Sequence, residues 1–578
     1  MSEFTTTPLG ENPPIGYVTG GGLEANLQVR LEVPAHEVQE GAFVVTDSDR
    51  WRFYGLVTDL QLAASDERFA AESMERRFTP KLSQLLREET LYTNLVMLPA
   101  LMLDRGPDLT SFEYAAWQAL NLGKIKPMPV KTIPAHHAPV RLANRADISD
   151  IFGEEDGKNM FRVGETREQG HPICLDLEKF VKRSSGIFGT TGSGKSFLTR
   201  MILAGLIHAN TAATLIFDMH NEYGPDSTSS DTGAAVPGLK SKFKAEVRLV
   251  GLGAGTSFGQ LQADFNLQIP YSEITPEDVL LLSQTLNLRD TSAQTLSALY
   301  NEFGPAWFKE FKGLKVGLTE TNDEGKKVPA PGSVAFWAEG AGINAMAAEA
   351  LHGKLQRLFR SPYLVETPAE NALQKMIETL KAGRHVILSF GKYDSELDYL
   401  LVTNLITRKI RDTWEDWTNE FHRDSSKKQN EPRPLVVAVE EAHKLLNREM
   451  ASQTIFSTIA REMRKYYVTL LIIDQRPSQI YDEVMSQLGT RISGSLGDEN
   501  DIDAVLSGLA GRQALRGMLA KLQPKEEVLM LGWGVPMPIP IRSRRYDNKF
   551  WAELQGGSST EAKRKLGRSM AGESDDSD

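Results

Sequence analysis

The octapeptide Gly189-Thr190-Thr191-Gly192-Ser193-Gly194-Lys195-Ser196 has the full form Gly-x4-Gly-Lys-Ser. Glycines at this spacing let the backbone curl until successive N–H groups and a helix N-terminus face an anion, which is how a chain cradles phosphates. In such a loop Lys195 would contact the β and γ phosphates of ATP, and the Ser196 hydroxyl would ligate Mg²⁺. The segment lies between an apolar strand, Ser185-Gly-Ile-Phe, and a helix expected from Phe197 onward, the context this chemistry requires.

Phosphoryl transfer also needs carboxylates, and Pro434-Leu-Val-Val-Ala-Val-Glu440-Glu441-Ala-His443 supplies them at the end of a strand. Ligands in α/β folds sit where strands deliver their carboxyl ends. Glu440 there would hold Mg²⁺ through water, and Glu441 would orient and deprotonate the attacking water. Ile473-Asp474-Gln475-Arg476-Pro477 places an amide at another strand end, where Gln475 would sense the γ phosphate; a solvated side chain is the plainer alternative. Phe217-Asp218-Met-His220-Asn-Glu222-Tyr223-Gly224 clusters acids and an imidazole after a further strand, suited either to the site or, for Asp218, to turn capping. No second ligand pair at metal spacing accompanies it, so a structural zinc is not expected. In Ser457-Thr-Ile-Ala-Arg461-Glu-Met-Arg464-Lys465 the i, i+3 or i+4 spacing puts Arg461 with Arg464 or Lys465 on one helix face, as an arginine finger into a neighbouring subunit or as a solvated basic face, with Arg461 the narrower choice.

The elements that must position these groups change character along the chain. Residues 15 to about 62 read as short strands broken by turns, the pattern of a small barrel or sandwich. Residues 65 to 89 are charged and expected to be helical, and Leu91 to Leu103 is expected to be a strand. From about 160, strands alternate with helices, as in a parallel sheet: Ser185–Phe188, Ala213–Phe217, His385–Phe390, Leu435–Val439, Val468–Ile473 and Val528–Gly532. The fold class expected is α/β, a P-loop core with a mostly parallel sheet, preceded by a small barrel or sandwich and carrying a helical insertion. The expected division is 1–150 for the barrel and connector, 151–259 and 376–555 for the core, 260–375 for the insertion, and 556–578 for a disordered tail. Within the insertion a helix is expected from Pro276, capped by Thr275. The polar stretches 226–238, 320–332 and 424–433 read as mobile loops.

At 578 residues the chain is long enough for two to four domains, and 41% hydrophobic with 24% charged residues describes an ordinary globular protein. The single cysteine, Cys174, cannot form an intramolecular disulfide, which together with the lack of a signal segment points to the cytoplasm. No apolar run approaches the roughly 20 residues of a membrane helix, so no membrane partner is expected. The net charge of −11 gives no overall basic footprint for nucleic acid, yet a ring can carry a few cations in its pore while its outside stays acidic.

Taken in order, Gly-Thr-Thr-Gly-Ser-Gly-Lys-Ser, Phe-Asp-Met-His-Asn-Glu-Tyr-Gly, Glu-Glu-Ala-His, Ile-Ala-Arg-Glu-Met-Arg-Lys-Tyr and Asp-Gln-Arg-Pro-Ser resemble the HerA family of hexameric DNA translocases, in the FtsK–HerA group of P-loop ATPases. They span about 185 to 480, and the β-rich start resembles that family's N-terminal barrel. The resemblance implies a RecA-like P-loop ATPase core behind a small N-terminal β-barrel, and a homo-hexamer threading double-stranded DNA, with the barrel docking a NurA-like nuclease in end resection or another effector protein in phage defence. Glu440 stands where the family usually has Asp, Met463 where Gly is common, and the helical insertion and acidic tail have no counterpart in the resemblance. The readings that follow are an ATP-driven translocase or helicase feeding a nuclease, and, alternatively, an ATPase ring that serves as assembly scaffold and regulator of an effector enzyme. A conjugative-type pump is disfavoured by the missing membrane segment.

Overall fold

The computed structural model describes residues 12–23, 26–64, 91–107, 111–121, 126–156, 159–228, 233–254, 257–258, 261–323, 325–423, 430–450, 455–509 and 511–556. The expected helix at 65–89 and the tail beyond 556 lie outside them. The chain forms two compact units, the first of residues 1–180, 188–198 and 489–578, the second of 181–187 and 199–488.

In the first unit β1 (Pro14–Gly20), β2 (Leu27–Leu31), β3 (Phe43–Ser48), β4 (Trp51–Ala64), β5 (Leu91–Asp104) and β6 (Pro139–Leu142) are antiparallel. They close on themselves in the order β1-β2-β5-β4-β3-β6, with β6 returning to β1. Alternation drives closure: along β2, Leu27, Val29 and Leu31 point inward and Gln28 and Arg30 outward. The inward residues meet Ile15, Val44, Val57, Leu95 and Val140 in one core. Register shifts at Tyr54/Gly55 and Val57/Asp59 bend β4 around this core. Gly55 is required there, because a Cβ would lie 2.5 Å from the Leu98 carbonyl oxygen.

Past the barrel come β7 (Met160–Thr166), β8 (Pro172–Asp176), β9 (Ser185–Phe188), β10 (Ala213–Asp218), β11 (Val247–Leu252), β12 (Phe265–Leu267), β13 (His385–Ser389), β14 (Leu435–Glu440), β15 (Val468–Asp474), β16 (Thr490–Ser493), β17 (Glu527–Gly532) and β18 (Ile539–Ser543). The first unit takes β16-β17-β18-β7-β8 as an antiparallel run. The parallel strand expected at Val528–Gly532 is therefore corrected to an antiparallel one. Only six residues join β17 to β18, too few for the crossover a parallel pair requires. Arg167 donates to the Glu40 carbonyl at 3.2 Å and Lys521 pairs with Glu40 at 2.7 Å, so the barrel belongs to the same unit as this antiparallel run. The expected boundary at 150 does not separate them, because the chain leaves this unit and returns, which local composition does not register.

The second unit orders its sheet β12-β11-β13-β10-β14-β15-β9. Ala213 pairs with Leu435, Leu435 with Val468, Leu215 with Val386 and Val247 with His385, all parallel. Of these, β10, β13, β14 and β15 are buried along their whole length, as their nearly unbroken apolar sequences require. Residues 265–267 form the edge strand of this sheet, so the core reaches into the expected 260–375 insertion. The remainder of that segment is mainly helical, around the buried aromatics Trp307, Phe308, Phe311 and Phe359. Thr275 caps its helix as expected, in a reciprocal pair with Asp278. Part of the stretch expected to be loose, 320–332, is a short hairpin pairing Thr319–Thr321 with Lys327–Pro329. Among the described residues no helix is long and apolar enough to cross a membrane.

Candidate functional site

Within the first unit, the phosphate loop follows buried β9 and ends on α1 (Lys195–Ala209). Gly192 and Gly194 adopt φ of +78° and +90°, the left-handed conformations that turn successive N–H groups toward one point. A side chain at Gly194 would also meet the Lys525 backbone, 3.2 Å from its Cα. The loop is braced by its own unit: Thr190 N–H donates to the Ser495 carbonyl at 3.1 Å, Gly494 N–H to Phe188 at 2.9 Å and Lys525 N–H to Ser193 at 3.0 Å. No acidic residue occupies the first turn of α1, so the positive end of the helix is left uncompensated. Among the described residues the Lys195 ammonium has no ion-pair partner, and it is only half-buried. These features fit the phosphates of a nucleotide.

Within the second unit, parallel register brings Ser389, Asp218, Glu440 and Asp474 to the same edge of the sheet. Leu470 N–H donates to Ser184 Oγ and Thr469 Oγ1 to the Val181 carbonyl, so β9 starts beside the start of β15.

Glu440 closes β14 and is 7% exposed. The Tyr223 hydroxyl donates to its Oε1, and the Tyr399 hydroxyl, from α2 (Glu396–Arg423), donates to its main-chain carbonyl at 2.7 Å. Glu441 follows at φ +46°, a left-handed conformation uncommon for a residue with a side chain and frequent at functional sites. Gln475 Nε2 lies 3.4 and 3.3 Å from the two Glu441 oxygens, so the proposed sensor and the proposed base do meet. Asp474 accepts the main-chain N–H of His443 at 2.7 Å and of Arg476 at 2.7 Å, with His443 Nδ1 at 3.0 Å. Burial pushes the Asp474 carboxyl up, but the His443 ring and these N–H donors outweigh it and leave it below the usual range. His443 Nδ1 is also 3.7 Å from Glu441, which makes Asp474 and His443 the frame of the Glu441 turn.

Of the two readings of Asp218, the structure supports turn capping. Its carboxylate, fully buried, accepts the N–H groups of Glu222, Tyr223 and Gly224 at 2.7, 2.9 and 3.2 Å. Burial pushes it up to about 6 against those three bonds. His220 is exposed, and Glu222 contributes its backbone, its carbonyl accepting from Arg200. Arg461 lies on α3 (Ile455–Glu462) and pairs with Glu483 at 3.2 Å. The α-helix stops at Glu462 and continues as a 3₁₀ turn over Met463–Tyr466, where i and i+3 eclipse, so Arg464 keeps Arg461's face better than Lys465 does.

Four residues with clear parts in this arrangement had no role assigned from sequence: Asp474, His443, Tyr223 and Tyr399. The first three stand inside the recognised stretches, but nothing local marks their partners.

Residues 161–410 match the family described as Helicase HerA, central domain. Among curated proteins, the chain is 24% identical over 539 residues to the DNA double-strand break repair helicase HerA of Sulfolobus acidocaldarius, covering 93% of this chain and 94% of that one. It is 23% identical to the protein of the same name from Saccharolobus solfataricus, at 93% of both. Among solved structures, VirB4 of Thermoanaerobacter pseudethanolicus is similar at 16% identity and a TM-score of 0.42, over 68% of this chain and 99% of that one.

Proposed function

We propose that this chain, a P-loop ATPase of the HerA family in the FtsK–HerA group, is a homo-hexameric ring motor coupling hydrolysis of ATP·Mg²⁺ to movement along double-stranded DNA. The observation that carries the reading is the meeting of Glu441 and Gln475 at the carboxyl edge where Glu440 ends its strand. Lys195 and the loop N–H groups bind the β and γ phosphates, with Thr190, Thr191 and Ser193 shaping the loop. Ser196 and Glu440 would hold Mg²⁺, which when bound would neutralise charge on the phosphate oxygens. Glu441 orients the attacking water and takes its proton; Gln475 reports the γ phosphate through its bond to Glu441. Arg461 is the candidate finger into the neighbouring subunit.

Relatives named as DNA double-strand break repair helicases support duplex DNA as the track. The barrel then docks a partner, a NurA-like nuclease or another effector, with end resection and phage defence as the two settings. The test is steady-state ATP hydrolysis at low salt with and without linear duplex DNA, for the native chain, Lys195→Ala and Glu441→Gln. Stimulation by DNA that both substitutions abolish supports the motor. Hydrolysis indifferent to DNA favours the alternative, a ring whose ATPase organises and licenses an effector enzyme. DNA binding that survives high salt and selects sequence contradicts the motor, since phosphate contacts are salt-dependent and sequence-blind.

A further inference from the structure

Glu440 ends a fully buried strand, and its side chain would be a costly isolated charge there without a polar partner. One partner is a phenol: the Tyr223 hydroxyl donates to Glu440 Oε1. Tyr223 is itself completely buried, and its main-chain N–H is bonded to Asp218, whose carboxylate also clamps Glu222 and Gly224. The ring is thus fixed at its root by the turn after β10, and at its tip it reaches the neighbouring strand β14.

The choice of partner has a chemical consequence. A hydroxyl donor orients the carboxylate without carrying a countercharge of its own, and a carboxylate oxygen is an apt hard ligand for a divalent cation. Side-chain length matters as well. A glutamate has one more rotatable bond than an aspartate, and a hydrogen bond at its tip removes the added freedom.

We propose that Tyr223 is a positioning residue that sets the Glu440 carboxylate for Mg²⁺. The inference rests on the ATP·Mg²⁺ reading of the site. Groups that orient the surroundings of a metal typically account for about 10-fold to 100-fold in metal affinity. Tyr399 provides an internal control. It is equally buried and donates to the same residue, but to its main-chain carbonyl, so losing its hydroxyl leaves the carboxylate's own hydrogen bond in place.

The experiment is a titration of the full-length protein, saturated with ADP, with Mn²⁺ followed by electron paramagnetic resonance, alongside thermal unfolding. Tyr223→Phe is expected to weaken Mn²⁺ binding about 10-fold, while Tyr399→Phe leaves it within about twofold of the native value. Native Mn²⁺ affinity in Tyr223→Phe overturns the inference. Equal weakening in both variants overturns it too, since that reports general loosening around Glu440. If the native protein with ADP holds no more Mn²⁺ than ADP alone, the ATP·Mg²⁺ reading itself fails, and the two failures are told apart.

Discussion

The barrel and the carboxyl edge of the parallel sheet both bury acidic groups, and they do opposite things with them. In the barrel, Asp147 is held by Arg141 at 2.6 Å and by Arg52 at 3.3 Å, and Asp47 by Arg52 at 2.6 Å and Arg105 at 3.1 Å. Every charge in that network meets its opposite. At the sheet edge, Asp218, Glu441 and Asp474 have no lysine or arginine ion pair among the described residues; they are met by main-chain N–H groups, an amide and an imidazole. Paired charge holds a fold in register, while acids gathered without cations leave a negative field for something that binds.

If that contrast holds, removing an acid should cost chemistry at the edge and stability in the barrel. Glu441→Gln carries the largest effect: turnover of ATP falls about 100-fold or more, the usual worth of a general base, with an unchanged melting temperature by calorimetry. A melt that collapses with the activity breaks the contrast. Asp147→Ala takes from Arg141, whose side chain is 7% exposed, its carboxylate at 2.6 Å, leaves it Asp47 at 3.9 Å, and removes one half of the capping box of the helix Arg145–Phe152, so urea unfolding should show a loss of about 3–5 kcal/mol. ATP turnover per folded molecule should survive that loss. Asp218 sharpens the comparison through pH. Its carboxyl is raised from 3.8 to about 6 in the folded protein, so the folded state holds a proton that the unfolded chain has released. Its contribution is present below the unfolded value and lost as pH rises through about 6, by roughly 3 kcal/mol at most. Denaturant midpoints of the native chain and Asp218→Asn, compared between pH 4 and 7, should differ by that slope. Asp104 has the reverse sign and the smallest effect. Its hydrogen bond with Arg50, outweighing slight burial, lowers its carboxyl, so stability is lost as pH falls below the ordinary aspartate range. Arg50 is 55% exposed, and Asp104→Asn should therefore change stability by less than about 1 kcal/mol.

The phosphate loop was legible because its chemistry is local: eight consecutive residues carry the glycines, the cation and the hydroxyl, and the strand Ser185–Phe188 stands where the pattern places it. The ends of β10, β14 and β15 were legible for a related reason, since a buried parallel strand is a short unbroken apolar run and its first polar residue marks the edge. Strand direction was not. Val528–Gly532 is as apolar as the parallel strands, and only its short link to Ile539 betrays an antiparallel pair. Val247–Leu252 passed unnoticed as a strand of the same sheet, and Phe265–Leu267 was assigned to the insertion.

By itself the sequence determined which groups can do chemistry, because residue type and near spacing settle what a loop or a strand end can bind. The tertiary structure alone decided which groups stand against each other. Asp474 reaches His443 across 31 residues, and Tyr223 reaches Glu440 across 217. Those meetings depend on strand order and register, which arise from packing distant apolar faces together and leave no periodic mark between the partners.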